Sequence, residues 1–188
     1  MTTEKTPFDN SGLESSPLNE FSGCHQGIIR NFQQLRTLTT LVREQSDAPQ
    51  IRQLAKQLLV FFKKVVLEHH AEEEQALFTA VMESARQGEE IRLARQSIQR
   101  LTAEHRELES MWKQITPDMK RLSKGKGANL DIALAEKLAS QYLAHAAYEE
   151  QVFLPLSARI LDKNEMSALG LSLHMRHQED ESPAHLIV

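Results

Sequence analysis

The sequence predicts an all-α protein, folded as an antiparallel up-down four-helix bundle with a short extra C-terminal helix. Glycine and proline are scarce, with 7 and 6 among 188 residues, and most of them lie near the ends or at a few breaks. The segments between the breaks are rich in Leu, Ala, Gln, Glu, Lys and Arg, which favour helix. Apolar residues recur in each segment every three or four positions, the spacing of a buried helix face. Four such faces joined by short connections are typical of a bundle.

The breaks set the predicted helix boundaries. Ser16-Pro17 predicts a helix start, because proline is favoured at the first helical position. Later breaks contain turn-forming residues and lie at 46–49, 88, 124–127 and 162–164. We therefore expect four long helices at about 17 to 46, 50 to 87, 89 to 123 and 130 to 161, and a shorter one at about 163 to 176. Pro117 should kink or end the third helix near Ile115, because proline removes a backbone donor.

The same boundaries divide the chain into three parts. Residues 1 to 16 show no periodicity and are expected to form a flexible leader. Residues 17 to 161 are expected to form the bundle, and residues 162 to 188 a short helix and tail. The histidines at 174, 177 and 185 lie in that last part and are interpreted as solvated tail residues.

Charge and cysteine content exclude several classes of protein. The formal net charge is -4, so no basic excess is present to bind a nucleic acid or an anionic membrane surface. The acidic start is unlike a signal peptide, and no apolar run is long enough to span a membrane. Cys24, the single cysteine, cannot form an internal disulfide. We expect a cytoplasmic protein without nucleic-acid or membrane partners, and the sequence does not indicate its oligomeric state.

Histidine and glutamate interrupt the apolar faces at related heights. In an up-down bundle, residues equally far from a turn on its two flanking helices lie at the same level. His25 and His69 each lie about 22 residues from the turn near position 47. The same reasoning places all the interrupting residues in a slab roughly 10 Å thick. They are His25, His69, Glu73, His105, His145 and Glu149.

These six residues predict a metal centre. The pattern HxAxEEQ at 69–75 recurs at 145–151, so each half of the chain supplies a His and a Glu one turn apart on one helix face. Buried polar groups without partners are costly, and a metal would supply the partner. If both carboxylates bridge, the set serves two ions and leaves positions for a small ligand. Imidazole and carboxylate without thiolate suit iron better than a closed structural zinc site, so zinc is the less favoured alternative.

The chain resembles the hemerythrin-like family with its HHE cation-binding motifs. The resemblance rests on His25, on the run at 69–78, on His105 and on the run at 145–155, and it covers about residues 18 to 161. It implies a four-helix bundle holding two iron ions joined by an oxo or hydroxo bridge. Glu73 and Glu149 would bridge, and the four histidines would be terminal ligands. Oxygen, nitric oxide or peroxide would be the small ligand.

The sequence departs from the oxygen-carrying hemerythrins at two positions. Those proteins have a fifth His one turn after the third-helix ligand, where this chain has Glu109, and an Asp one residue further along the fourth helix, where it has Glu150. Simple reversible oxygen carriage is therefore not expected. We interpret the chain as a di-iron protein that binds or senses oxygen, nitric oxide or peroxide, or handles iron. The alternatives are a di-iron enzyme for peroxide removal or iron-sulfur cluster repair, and a zinc-binding or structural bundle.

Several residues have two interpretations. His70 with Glu74 is an alternative register, one position along from His69 and Glu73. Glu104 and Glu109 are either extra ligands or ordinary exposed glutamates. Tyr142 either donates a hydrogen bond to a bound oxygen species or is a core tyrosine satisfied elsewhere.

Overall fold

The computed structural model describes residues 16–45, 48–86 and 88–181, with side chains in the last range as far as Leu173. Helices and short connections make up these ranges, and no strand occurs within them. None of the helices in the described ranges is both long and apolar enough to cross a membrane. The all-α prediction is confirmed for this part of the chain. The predicted leader, apart from Ser16, and the side chains of the three tail histidines lie outside the described residues.

Five continuous helices follow one another in the part of the chain that the structure describes. The first is α1, Pro17–Arg43. The second comprises α2 (Ala48–Phe61), α3 (Leu67–Glu72) and α4 (Phe78–Ser84), joined by the π-helical turns Phe62–Val66 and Glu73–Leu77. The third is α5, Gly88–Leu122. The fourth comprises α6 (Ile132–Tyr148) and α7 (Leu154–Ile160), joined by the π-helical turn Glu149–Phe153. The fifth is α8, Lys163–Glu181, which is longer than predicted.

The four long helices pack in a closed ring. The first and third helices each contact both the second and the fourth. The fifth helix packs against the first and second helices. Four amphipathic helices arranged in this way bury their apolar faces against one another, as in a helical bundle.

The hydrophobic core is divided into two clusters by a layer of polar residues. One cluster contains residues such as Phe32, Phe62, Trp112 and Leu138. The other contains residues such as Phe21, Leu77, Leu101, Phe153 and Leu173. On the first three helices, the buried histidines and glutamates lie between the residues of the first cluster and those of the second, and on the fourth helix His145 and Glu149 lie on either side of Ala146, where the first cluster ends. The polar layer is therefore at the centre of the bundle.

The π-helical turns shift the buried faces away from the predicted ones. A π-helical turn holds an extra residue, so a strict 3.6-residue reading loses the face beyond it. A spacing of three or four residues along the fourth helix predicts that Val152 is buried, but Val152 is 43% exposed, whereas its neighbour Phe153 is buried. On the second helix the same spacing predicts buried Phe61 and Val65, but Phe62 and Val66 are the fully buried residues. The prediction for Val152 is wrong because it lies inside the turn Glu149–Phe153.

The third helix continues through Pro117 to Leu122 and does not end near Ile115. Pro117 is exposed, so its ring faces solvent and not the helices of the core. The hydroxyl of Thr116 donates to the carbonyl oxygen of Trp112 at 2.7 Å. The burial of Ile115 and Met119 on either side of the proline accounts for the continuation, because tertiary packing overrides a local helix breaker.

Replacing Pro117 with alanine should stabilise the protein by about 1–3 kcal/mol, because alanine restores the donor to the helix and removes the ring. Thermal unfolding followed by circular dichroism measures the change. The exposed Lys113→Ala on the same helix is the control and should change stability little. An unchanged or lower melting temperature for Pro117→Ala would show that the helix needs proline here.

Candidate metal centre

The polar layer consists of seven side chains that are each at most 2% exposed. The first helix contributes one, the second three, the third one and the fourth two. They are His25, His69, His70, Glu73, His105, His145 and Glu149. All six residues predicted from the sequence lie in this layer, and His70 is an addition to them.

The two oxygens of Glu73 face different imidazoles. Its Oε1 lies 3.3 Å from Nε2 of His69 and 3.6 Å from Nε2 of His25. Its Oε2 lies 3.2 Å from Nε2 of His105. A carboxylate in this position can bind one cation with each oxygen.

Glu149 has the corresponding arrangement. Its Oε2 lies 3.0 Å from Nε2 of His25, and its Oε1 lies 3.3 Å from Nε2 of His145. Two groups of four potential ligands result, and within each group the ligand atoms lie within 4.8 Å of one another. One group is His25, His69, Glu73 and Glu149, and the other is Glu73, His105, His145 and Glu149. Both carboxylates belong to both groups.

His70 is the functional residue that the sequence reasoning set aside. It is 1% exposed, and its potential ligand nitrogen lies within 4.8 Å of those of His105 and His145. Its ring stacks on that of His105 with 3.9 Å between the centroids. The π-helical turns on both sides of α3 explain why two consecutive histidines are buried here. His69 and His70 are therefore both buried in the layer, and Nε2 of His69 lies 3.3 Å from Oε1 of Glu73.

His70 breaks the internal symmetry of the chain. The repeat that relates His69 to His145 gives His70 the counterpart Ala146. In the same way, the third helix aligns with the first when His105 is matched to His25. Glu109 then aligns with Ile29. Three imidazoles consequently belong to one half of the layer and two to the other, and the repeat aligns the fully buried Ala146 with the additional histidine.

Four carboxylates lie behind the imidazoles, and we call them the outer carboxylates. Each accepts a hydrogen bond from the Nδ1 of one histidine. The pairs are Glu150 with His25 at 2.7 Å, Glu74 with His105 at 2.8 Å, Glu104 with His145 at 2.9 Å, and Glu109 with His70 at 3.0 Å. An Nδ1–H that donates outwards leaves the Nε2 lone pair directed into the layer.

The outer carboxylates are thus placed to orient the imidazoles. This geometry does not support Glu104 or Glu109 as extra ligands, because each accepts a hydrogen bond from Nδ1 of a layer histidine and neither belongs to a group of potential ligands among the described residues. Glu74 and Glu150, the second glutamates of the repeated pair, have the same function. Their place in the repeat was a sequence signal that could have identified them.

Arginines and a serine hold the outer carboxylates in position. Arg106 bridges Glu74 and Glu109, with 3.6 Å from its Nη1 to Glu109. Arg100 Nε donates to Glu104 at 2.7 Å. The hydroxyl of Ser22 donates to Glu150 at 3.0 Å.

Glu104 and Glu109 remain ionised at neutral pH. The hydrogen bond from His145 lowers the pKa of Glu104, and Arg100 lowers it further against the effect of burial. The hydrogen bond from His70 lowers the pKa of Glu109 in the same way. Both residues therefore keep the charge that accepts an imidazole N–H.

The inner groups are disfavoured as isolated charges. Burial raises the pKa of Glu73 well above its usual range, and the nearby charge of Glu149 raises it further. Burial lowers the pKa of His69 and His105, and neighbouring imidazoles add to the effect. Burial also opposes protonation of His25, but the carboxylates of Glu149 and Glu73 outweigh it and raise the pKa of His25 to about 10. A cation in the layer would balance the two carboxylates without protonating the ligands.

The unsatisfied atoms of the layer fit a bound cation. Among the described residues, ten buried side-chain nitrogen or oxygen atoms lack a hydrogen-bond partner, and eight of them belong to the polar layer. They include the Nε2 of all five histidines and three of the four carboxylate oxygens. Buried polar atoms are normally satisfied, so a concentration of exceptions marks a ligand site.

Comparison with known proteins agrees with this arrangement. A family model described as the Hemerythrin HHE cation binding domain matches residues 16–157. The chain belongs to the hemerythrin HHE family. An uncharacterized protein of Haemophilus influenzae is similar, with 23% identity over 167 residues that make up 89% of this chain and 93% of that protein. The resemblance predicted from the sequence is thereby confirmed, and the polar layer is compatible with the cation binding for which the family is named.

Glu104→Gln should lower metal affinity by about 10–100-fold. The amide oxygen accepts a weaker hydrogen bond from Nδ1 of His145 than the carboxylate does, and this makes Nε2 of His145 less basic. Competition with a chelator measures the affinity. Glu107→Gln is the matched control, since Glu107 lies on the same helix, is about half exposed and contacts Lys137 at 3.7 Å. Equal affinities for the two variants would contradict an orienting function for Glu104.

Proposed function

We propose that this member of the hemerythrin HHE family is a non-haem di-iron protein built on an antiparallel up-down bundle. One iron would be held by His25 and His69, and the other by His70, His105 and His145. Glu73 and Glu149 would be shared by both ions. The observation that supports the proposal is that the two oxygens of each carboxylate face different sets of imidazoles.

The donor set favours iron. Five imidazole nitrogens and four carboxylate oxygens are too many for a single tetrahedral zinc. Two octahedral ions require twelve donors, so positions remain for small molecules. The absence of thiolate from the described layer is also consistent with iron in an oxygen and nitrogen environment.

Iron would supply a one-electron change of oxidation state and affinity for oxygen, nitric oxide or peroxide. The protein's residues bind the ions, orient the imidazoles through the outer carboxylates and exclude bulk water. A groove of about 280 Å³ lies between the first, second and fifth helices, and His69, Phe21, Cys24 and Leu173 are among its lining residues. This groove would admit a molecule of two or three atoms to the side of the layer that has two imidazoles.

We infer that the protein binds or senses such a molecule, or handles iron, in the cytoplasm. The sequence departure at Glu109 argued against reversible oxygen carriage because it removed a fifth imidazole from the third helix. In the structure His70 supplies a fifth imidazole from the second helix. Oxygen therefore remains among the proposed ligands, with nitric oxide and peroxide.

The first test is metal content and spectrum. Protein purified from iron-replete cells should contain about two iron atoms per chain and absorb in the near ultraviolet in its oxidised form. Exposure of the reduced protein to air, nitric oxide and peroxide then identifies the ligand. A colourless protein with one zinc per chain would exclude the di-iron proposal, and multiple turnovers of peroxide would make the protein an enzyme.

Glu73→Ala and Glu149→Ala should each remove both ions, whereas His69→Ala should leave about one, because only the carboxylates face both sets of imidazoles. Iron analysis per chain measures the difference. Glu83→Ala, an exposed position on the second helix, should keep both ions. Retention of two ions by Glu73→Ala would contradict the shared position of that carboxylate.

His70→Ala should reduce the iron content to about one per chain by weakening the ion near His105 and His145. The conservative control is Glu109→Gln, which keeps the imidazole and weakens only its hydrogen bond, so its loss of affinity should be smaller. If His70→Ala keeps two ions with unchanged affinity, His70 is a packing residue.

A further inference from the structure

Tyr142 has a buried hydroxyl that forms no hydrogen bond with any residue that the structure describes. Its side chain is 0% exposed, and within the described ranges its hydroxyl is one of two buried unpartnered atoms outside the polar layer. The other is Oε1 of Gln141, a residue that is partly exposed and lines a separate groove. Burying an unpaired hydroxyl is unfavourable, so its presence in a packed core indicates a partner that is not protein.

The tyrosine is fixed next to the polar layer. Its ring stacks on Phe32 with 4.2 Å between the centroids. The same ring lies 5.6 Å from the ring of His145 and 6.1 Å from that of His70. Contacts on several sides hold the phenol in one orientation, so its hydroxyl can donate a hydrogen bond without a further loss of rotamer entropy.

A phenol hydroxyl is protonated at neutral pH, so that of Tyr142 can donate a hydrogen bond. The residue also lies one turn before Ala146 on the fourth helix, so both are on the face where the symmetry leaves a histidine out.

We propose that the Tyr142 hydroxyl donates a hydrogen bond to the small molecule bound in the polar layer. The ligand class is a molecule of two or three atoms with a negatively charged or strongly polar acceptor atom. Tyr142 offers a buried donor that no described residue uses. This inference rests on the proposed di-iron function.

The test is azide binding by the oxidised, iron-loaded full chain. Tyr142→Phe should raise the azide Kd about 10-fold, because one hydrogen bond to an anion is lost while the ring packing is kept. Iron content is measured on the same samples. Two iron atoms with an unchanged azide Kd would overturn the function of Tyr142 alone, whereas absence of iron from the wild-type protein would overturn the di-iron proposal.

Tyr148→Phe is the matched control. Tyr148 is the other tyrosine of the chain, it lies on the same helix, and its hydroxyl is 3.0 Å from the hydroxyl of Ser97. Its loss should leave the azide Kd unchanged.

In metal-free protein, Tyr142→Phe should keep or raise the melting temperature, by up to about 4 °C, because an unsatisfied hydroxyl is removed. A clear fall in melting temperature for Tyr142→Phe in metal-free protein would show that the hydroxyl already has a partner, and would overturn the proposal.

Discussion

The structure depends on burying five imidazoles and two carboxylates in one layer at the centre of an apolar bundle. Each of these side chains is at most 2% exposed, so water cannot satisfy them. Protonation can satisfy only some of them, because charge on one imidazole lowers the pKa of its neighbours. A cation accepts the Nε2 lone pairs and the carboxylate oxygens together, and for that reason metal binding and folding are coupled in such sites.

The outer carboxylates extend this constraint to the surface. Each is bound to an imidazole on its inner side, and Arg100, Arg106 or Ser22 holds it on its outer side. The orientation of an inner ligand is consequently determined by groups on two or three helices. Ordinary charged residues on the helix surface, such as Glu104 and Arg100, are in this sense part of the centre.

The helix boundaries and six of the seven inner residues could be predicted from the sequence because they follow from breaks and periodicity. His70 and Val152 could not, since the π-helical turns add residues that a 3.6-residue period does not count. Continuation of the helix through Pro117 depends on tertiary packing, which local propensity does not contain. The pairing of the outer carboxylates with Nδ1 atoms depends on distances between helices, although the repeated Glu-Glu pair was visible.

The division of the hydrophobic core affects how the molecule loses its structure. Two apolar clusters lie on either side of the polar layer, and each contains residues from the four long helices. Cooperativity between the clusters must pass through the layer, in which eight buried polar atoms lack a hydrogen-bond partner when no cation is bound. Loss of the ions therefore weakens the connection between two halves that each retain their own apolar contacts. Amide hydrogen exchange would then report two separate opening units in place of one.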